Sequence, residues 1–443
     1  MHPRRTSVWL FAGGLALASA ACELDPIENP NSPTQESLLE GATAADLQLL
    51  ATGLEASLRT DMEFYYQTAS ILGREYYDLR NTDPRYTGEL LGAGSGAGVL
   101  DPNGFLTTRS YGALYRVVRN AEILITATRN ASASLSEVEE SALVGYAQAI
   151  KAYALLLVAN RQYDNGIRLD VADPDNLGPF TASAAESYAG VQALFGEAAD
   201  NLAGAAADST AFPVRLSAGF DGFGEPIGFL EFVNALRARV ALYQGDGEAA
   251  LGYLDDSFFD LDGDLDRGVY HVFGASGNDQ LNPLFYVPGQ DRYFVQQDFL
   301  DDAEEGDTRI DELTSPFGET IVADGLTGTV QVTQYPNNTA PVPIIRNAEL
   351  ILIYAEVQIG RDDEEAVAAL NVIRAAAGLE EFEDTDDGEA LLDEVVRQRR
   401  YELFGEAQRW IDLRRLGRLD EIELDREGDE VFVQFPTPIS EDL

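Results

Sequence analysis

The sequence predicts a mainly α protein, a helical scaffold with long irregular insertions that carry a few short strands. Three observations carry this prediction. Apolar residues recur at three- and four-residue spacing near 44–71, 108–131, 136–162, 184–206, 227–256, 345–376 and 387–417, the period of an amphipathic helix. Alternating runs are few: TGTVQVTQ at 327–334 is the clearest strand and VFVQF at 431–435 the second. Two long stretches, 72–107 and 257–343, follow neither period and are rich in Tyr, Asn, Asp, Arg and Gly.

The N-terminus comes first. Arg4 and Arg5 precede an uncharged run, Val8 to Ala18, and then the small residues Ser19, Ala20 and Ala21. A charged start, a short apolar stretch and a small-residue site describe a secretory signal over 1–21. The run is shorter than the roughly 20 residues that span a bilayer, and no later segment is expected to cross one. The chain has one cysteine, Cys22, directly after this site. Two readings are open: a leftover thiol, or the acylated first residue of a bacterial lipoprotein. An exposed thiol on an exported protein is a reactive liability, so lipidation explains Cys22 better, although Ser19 stands where such signals most often carry Leu. Residues 22–43, polar and proline-containing, read as a lipidated tether, and 44–443 as a single domain.

The helices follow. Leu230, Val233, Leu236, Val240 and Tyr243 fall on one helix face. Two stretches look like antiparallel helix pairs of the tetratricopeptide kind: 235–254, turning at Gly245 and Asp246, and 348–379, turning at Gly360 to Asp362. The repeat is not regular, so plain helix hairpins fit equally well. The two insertions read as ordered loops on this scaffold, the usual place for a binding site.

Acids number 76 against 30 bases, and Lys151 is the only lysine. The formal net charge of −46 excludes nucleic acid and anionic lipid surfaces as partners. A solvated acidic surface accounts for it. His2 lies in the signal and His271 stands alone, so zinc clusters and histidine-dependent triads have no parts. GAGSGAG at 92–98 reads as a flexible loop. DLDGDLD at 260–266 has its glycine in the wrong place for a calcium loop and reads as a solvated acidic turn. No metal and no cofactor are expected.

The C-terminal third carries a resemblance. VPIIRNAELILIYAEVQ (342–358), AALNVIRAAAGL (368–379) and LLDEVVRQRRYELFGEAQRWIDLRRLG (391–417) resemble the SusD/RagB family of outer-membrane nutrient-binding lipoproteins. The matching positions are Pro343, Arg346, Glu349 and Glu356. They continue with Asn371, Arg374 and Gly378, then with Arg399, Glu402, Arg409, Trp410, Asp412, Leu413, Arg415 and Gly417. Gln398 and Ala407 depart from it, standing where an acid and a glycine are common. Weaker echoes lie in PIENPNSPT after Cys22, YGALYRVVRNAEILI (111–125), GDTRIDEL (306–313) and FPTPISED near the end. The charged residues of the motif sit at helical spacing with arginine beside each acid. This favours an internal salt-bridge network over an acid pair for catalysis.

The resemblance implies a SusD-like domain over 44–443, with its motif region at 341–443. It also implies a protein that is not an enzyme and is anchored by its N-terminal lipid to the outer face of the outer membrane. There it captures a glycan, or another nutrient, and delivers it as a lid to a SusC-like TonB-dependent barrel transporter. The insertions then hold the ligand-site candidates: Tyr76, Tyr77, Asp78, Arg80 and Tyr86 from the first, Tyr286, Arg292 and Tyr293 from the second. Trp410 is the only tryptophan after the signal and belongs to the motif, so stacking must rely on Tyr and Phe, which suits a smaller or more polar ligand. Two other classes stay open: a helical scaffold lipoprotein without a small ligand, and an α-helical glycosidase using two carboxylates.

Overall fold

A computed structural model describes residues 39, 41–80, 83–93, 98–287, 289, 292–383 and 387–442. The expected signal, Cys22 and nearly all of the tether lie outside them, as do residues 94–97 of GAGSGAG.

The scaffold opens with α1 (Ala44–Leu58) and α2 (Glu63–Leu72). The sequence suggests one helix over 44–71, but the chain breaks at Asp61, whose φ of +54° is left-handed. Strand β1 (Tyr76–Asp78) and the single-turn α3 (Arg85–Gly88) follow, then three long helices: α4 (Phe105–Arg129), α5 (Glu137–Gln162) and α6 (Ala184–Asp208). Helix α5 starts on a capping box, Ser136 with Glu139, which satisfies two otherwise unpaired N–H groups. By length and composition α5 could cross a membrane, yet the whole of its apolar stretch is buried in protein. It is the central core helix, with α4 and α6 packed on it. The close approach to α6 requires Gly145, since a Cβ there would lie 2.9 Å from the Ala198 carbonyl oxygen.

Both expected hairpins form. Helix α7 (Pro226–Gln244) ends on left-handed Gly245, and Asp246 caps α8 (Gly247–Asp255). Helix α11 (Asn347–Gln358) and α12 (Asp363–Ala376) turn through Gly360, with Asp362 as the cap. Before them, the second insertion supplies β2 (Gly268–His271), β3 (Tyr293–Val295), α9 (Gln297–Asp301), α10 (Arg309–Leu313), β4 (Thr314–Ala323), β5 (Leu326–Val332) and β6 (Val342–Arg346). Strand β5 realises TGTVQVTQ and pairs with β4 through Asp324–Gly325, both with positive φ, as a tight two-residue hairpin turn requires. The sheets run in the orders β1-β3-β5-β4 and β2-β6, all neighbours antiparallel. In DLDGDLD the carboxylates of Asp260 and Asp264 accept the N–H groups of Asp262 and Asp266.

The C-terminal region holds α13 (Gly388–Glu402) and α14 (Arg409–Arg415), where the sequence suggests one helix over 387–417. The break is a tight turn in which Gly405 and Ala407 take φ of +71° and +63°. VFVQF is not a strand. Its backbone is used elsewhere: Phe435 N–H donates to the Arg161 carbonyl, and the Phe432 carbonyl accepts the Trp410 indole N–H. The segment is a strap across the end of α5.

The expected charge network is buried here, but its pairs differ. Glu349 is held by Arg239 of α7, through Nε and Nη2 at 2.6 and 2.5 Å. Arg346 instead serves Glu402 and Glu406, Glu356 meets Arg415, and Arg399 meets Asp412. Arg409 Nε donates to the Gly73 carbonyl. Against burial, Arg346 and Arg309 hold the Glu402 carboxyl below its ordinary range, and Arg399 and Arg415 do the same for Asp412. Glu406 departs from this pattern: burial pushes it up to about 7.

Candidate ligand-binding site

The two insertions meet in one sheet. Strand β1 pairs with β3 in the register Tyr76↔Val295, Tyr77↔Phe294 and Asp78↔Tyr293, so the sequence candidates from both stretches come together. Asp78 is the centre. Its carboxylate is fully buried and accepts Gln67 Nε2 at 2.7 Å, Arg80 Nε at 2.8 Å and Arg80 Nη2 at 2.6 Å. Arg292 Nε lies 3.6 Å from the same carboxylate and makes no hydrogen bond among the described residues. Two guanidinium groups therefore share one carboxylate.

The aromatic candidates are mostly interior. Tyr76, Tyr77, Tyr86, Tyr286 and Tyr293 are all buried. Tyr293 stands edge-on to Tyr76 at 5.3 Å and to Tyr286 at 5.6 Å. The Tyr77 hydroxyl donates to Asp425. Burial pushes the Tyr77 and Tyr293 hydroxyls well above their ordinary range. These rings form the floor, and the side chains that reach solvent are Arg80, 31% exposed, and Arg292, 22% exposed. Arg80 lies 5.2 Å from the Tyr86 ring centroid and Arg292 lies 4.3 Å from that of Tyr293, the range of a cation–π contact.

The structure adds residues that the sequence reading passed over. Tyr86 leads edge-on to Phe105 and Phe105 to Phe64. Arg85 covers Phe105 at 4.2 Å and Arg109 covers Phe64 at 4.6 Å. Arg80, Arg85 and Arg109 thus roof a row of three rings. Arg85 and Arg109 are themselves neutralised by Asp83 and Asp61. Glu63, at the start of α2, has its carboxyl raised by burial and by Asp61, against Arg109 and Arg292. Arg85 and Tyr86 share the segment DPRYTG. That adjacency was the available signal for the row, but the partners Phe105 and Phe64 are supplied only by the fold.

Chemically, the site is an open face of fixed guanidinium donors over buried rings. None of the eight candidates lines the clefts of about 310, 380, 390 and 430 Å³ found among the described residues. Arginine forks suit oxygen-rich ligands, hydroxyl or carboxylate.

Comparisons with known proteins agree with this architecture. Residues 314–440 match the SusD family model. No curated protein matches the chain. Among solved structures, the chain is similar to surface glycan-binding protein A from Bacteroides thetaiotaomicron in complex with laminarihexaose. Identity is 15%, the TM-score 0.70, and 90% of this chain and 97% of that one are covered. It is similar to a laminarin-binding SusD-like protein at 17% identity and TM-score 0.60, covering 90% and 96%. It is also similar to a SusD superfamily protein from Bacteroides vulgatus ATCC 8482 at 17% identity and TM-score 0.66, again covering 90% and 96%. Residues 314–440 thus carry the C-terminal region of the SusD family, on a helical fold that the chain shares with SusD-like proteins over nine-tenths of its length.

Proposed function

We propose that this protein binds glycans at the cell surface, held to the outer membrane by a lipid on Cys22, and passes them to a SusC-like TonB-dependent barrel. The observation that carries the reading is the convergence of the two insertions at Asp78, Arg80 and Arg292. It occurs on a fold shared with proteins described as binding laminarin or solved with laminarihexaose. On this reading Arg80 and Arg292 hydrogen-bond ligand oxygens. Asp78 fixes their directions, and the tyrosine floor holds the sheet rather than stacking a broad sugar ribbon. The absence of tryptophan outside the signal and the Trp410 motif position favours a short or polar glycan. Binding is the function; no catalytic step is proposed.

Purification of the protein from its native outer membrane, with mass spectrometry of what accompanies it, tests the assembly. A lipid-modified Cys22 and a co-purifying TonB-dependent barrel are expected. An unmodified thiol with no barrel would overturn the anchoring and delivery roles together.

A further inference from the structure

A separate cleft of about 390 Å³ opens between α1, β2 and the loop at 276–279, within the roughly 300–1,000 Å³ range of small-molecule sites. It shares no residue with the Arg80–Arg292 face. His271 forms part of its wall. Strand alternation places His271 inward beside Val269, a position that an apolar residue would ordinarily fill. The imidazole is 5% exposed, and among the described residues no hydrogen bond reaches either ring nitrogen. Its nearest ring neighbour is Tyr153, at 6.4 Å. Burial, with Arg59 nearby, pushes its pKa down to about 3. The ring is therefore neutral at any physiological pH and offers one donor and one acceptor.

The charged groups of the cleft are already engaged. Arg59 Nη1 donates to Asp279 at 2.7 Å and to the Val272 carbonyl. Glu55 accepts the Ser217 N–H at 3.1 Å and the Tyr146 hydroxyl at 3.3 Å. The groups left for a ligand are neutral: the His271 nitrogens, the Asn278 amide and the Ser276 hydroxyl, beside the rings of Phe220 and Tyr270, whereas the Thr52 hydroxyl is already bonded to Gln48. Rings that cover C–H faces, together with neutral donors and acceptors for hydroxyls, match a sugar without charge.

We propose that this cleft is a second ligand site, for a neutral sugar of one or two rings, with His271 as its central hydrogen-bonding residue. The proposal goes beyond the surface-glycan role above and does not depend on it.

The test uses the full chain carrying histidine labelled with ¹³C at Cε1. Its two signals, from His2 and His271, are assigned with His271→Gln. D-glucose, D-galactose, cellobiose and laminaribiose are titrated, with glucosamine and glucuronate as charged comparators. The expected result is a saturable shift of the His271 signal alone with at least one neutral sugar. Asn278→Ala, on an exposed loop, is expected to weaken that binding about tenfold, the loss of roughly one hydrogen bond. A His271 signal unmoved by all four neutral sugars would overturn the proposal. So would a shift produced only by the charged comparators, or affinity undiminished in both Asn278→Ala and Ser276→Ala.

Discussion

Replacing Glu75 by glutamine removes a buried carboxyl from the joint between the candidate ligand face and the C-terminal motif region. Glu75 directly precedes β1. Its carbonyl accepts Gln296 N–H at the end of β3, and its Oε1 accepts Gly405 N–H at 3.1 Å. Oε2 has no hydrogen-bond partner among the described residues, and the residue is fully buried. Burial pushes this carboxyl up to about 7 from an ordinary 4.5. The sign follows from linkage. With the folded pKa above the unfolded one, the stabilising contribution is complete below about pH 4.5 and is lost as pH rises to about 7. The interval corresponds to about 3 kcal/mol at about 1.4 kcal/mol per unit. Glutamine, nearly the same shape and never charged, removes that dependence. Urea unfolding of both proteins at about pH 5 and about pH 8 measures it. The glutamine variant is expected to gain roughly 2–3 kcal/mol on the parent between the two pH values. Parallel pH profiles, with no relative gain at high pH, would refute the reasoning that Glu75 is ionised at a cost inside the fold.

Other substitutions follow from the same packing. Glu349→Gln or Arg239→Met leaves one member of a buried, doubly hydrogen-bonded pair uncompensated, and urea midpoints should report a loss of about 3–5 kcal/mol. Gly145→Ala drives a methyl into the Ala198 carbonyl and the Leu202 side chain, with an expected loss of about 1–3 kcal/mol in the same assay. Tyr293→Phe deletes a hydroxyl that has no partner among the described residues and is expected to leave stability within about 0.5 kcal/mol. Tyr77→Phe strips the donor from Asp425 and should cost about 1–3 kcal/mol.

The long helices could be read from the sequence because their period is local. Segments 136–162 and 184–206 fall almost on α5 and α6, and Gly245 and Gly360 end helices where only a left-handed turn fits. The breaks at Asp61 and at 403–408 could not be read, since nothing in the apolar spacing marks a residue with positive φ. Strands β1 and β3 have three residues each and form by pairing across more than two hundred positions, which leaves no local period. The same distance hid the sheet that joins Asp78 to Arg292. The tyrosine-rich insertions were legible as a place, but a tyrosine in the floor and a tyrosine in solvent read alike in sequence. VFVQF alternated like a strand and became a strap because Arg161 and Trp410 take its backbone groups. His271 looked solitary for want of a second histidine, whereas its interest lies in the cleft beside it.

The central claim is that a glycan is held by Arg80 and Arg292. A glycan array on the purified protein, followed by calorimetry of the best ligand with the parent, Arg80→Gln and Arg292→Gln, tests it most directly. The account predicts a bound glycan and a loss of roughly 10- to 100-fold in affinity for each variant, the worth of one charge-assisted hydrogen bond. A glycan bound equally well by all three proteins, or no glycan bound at all, would contradict it.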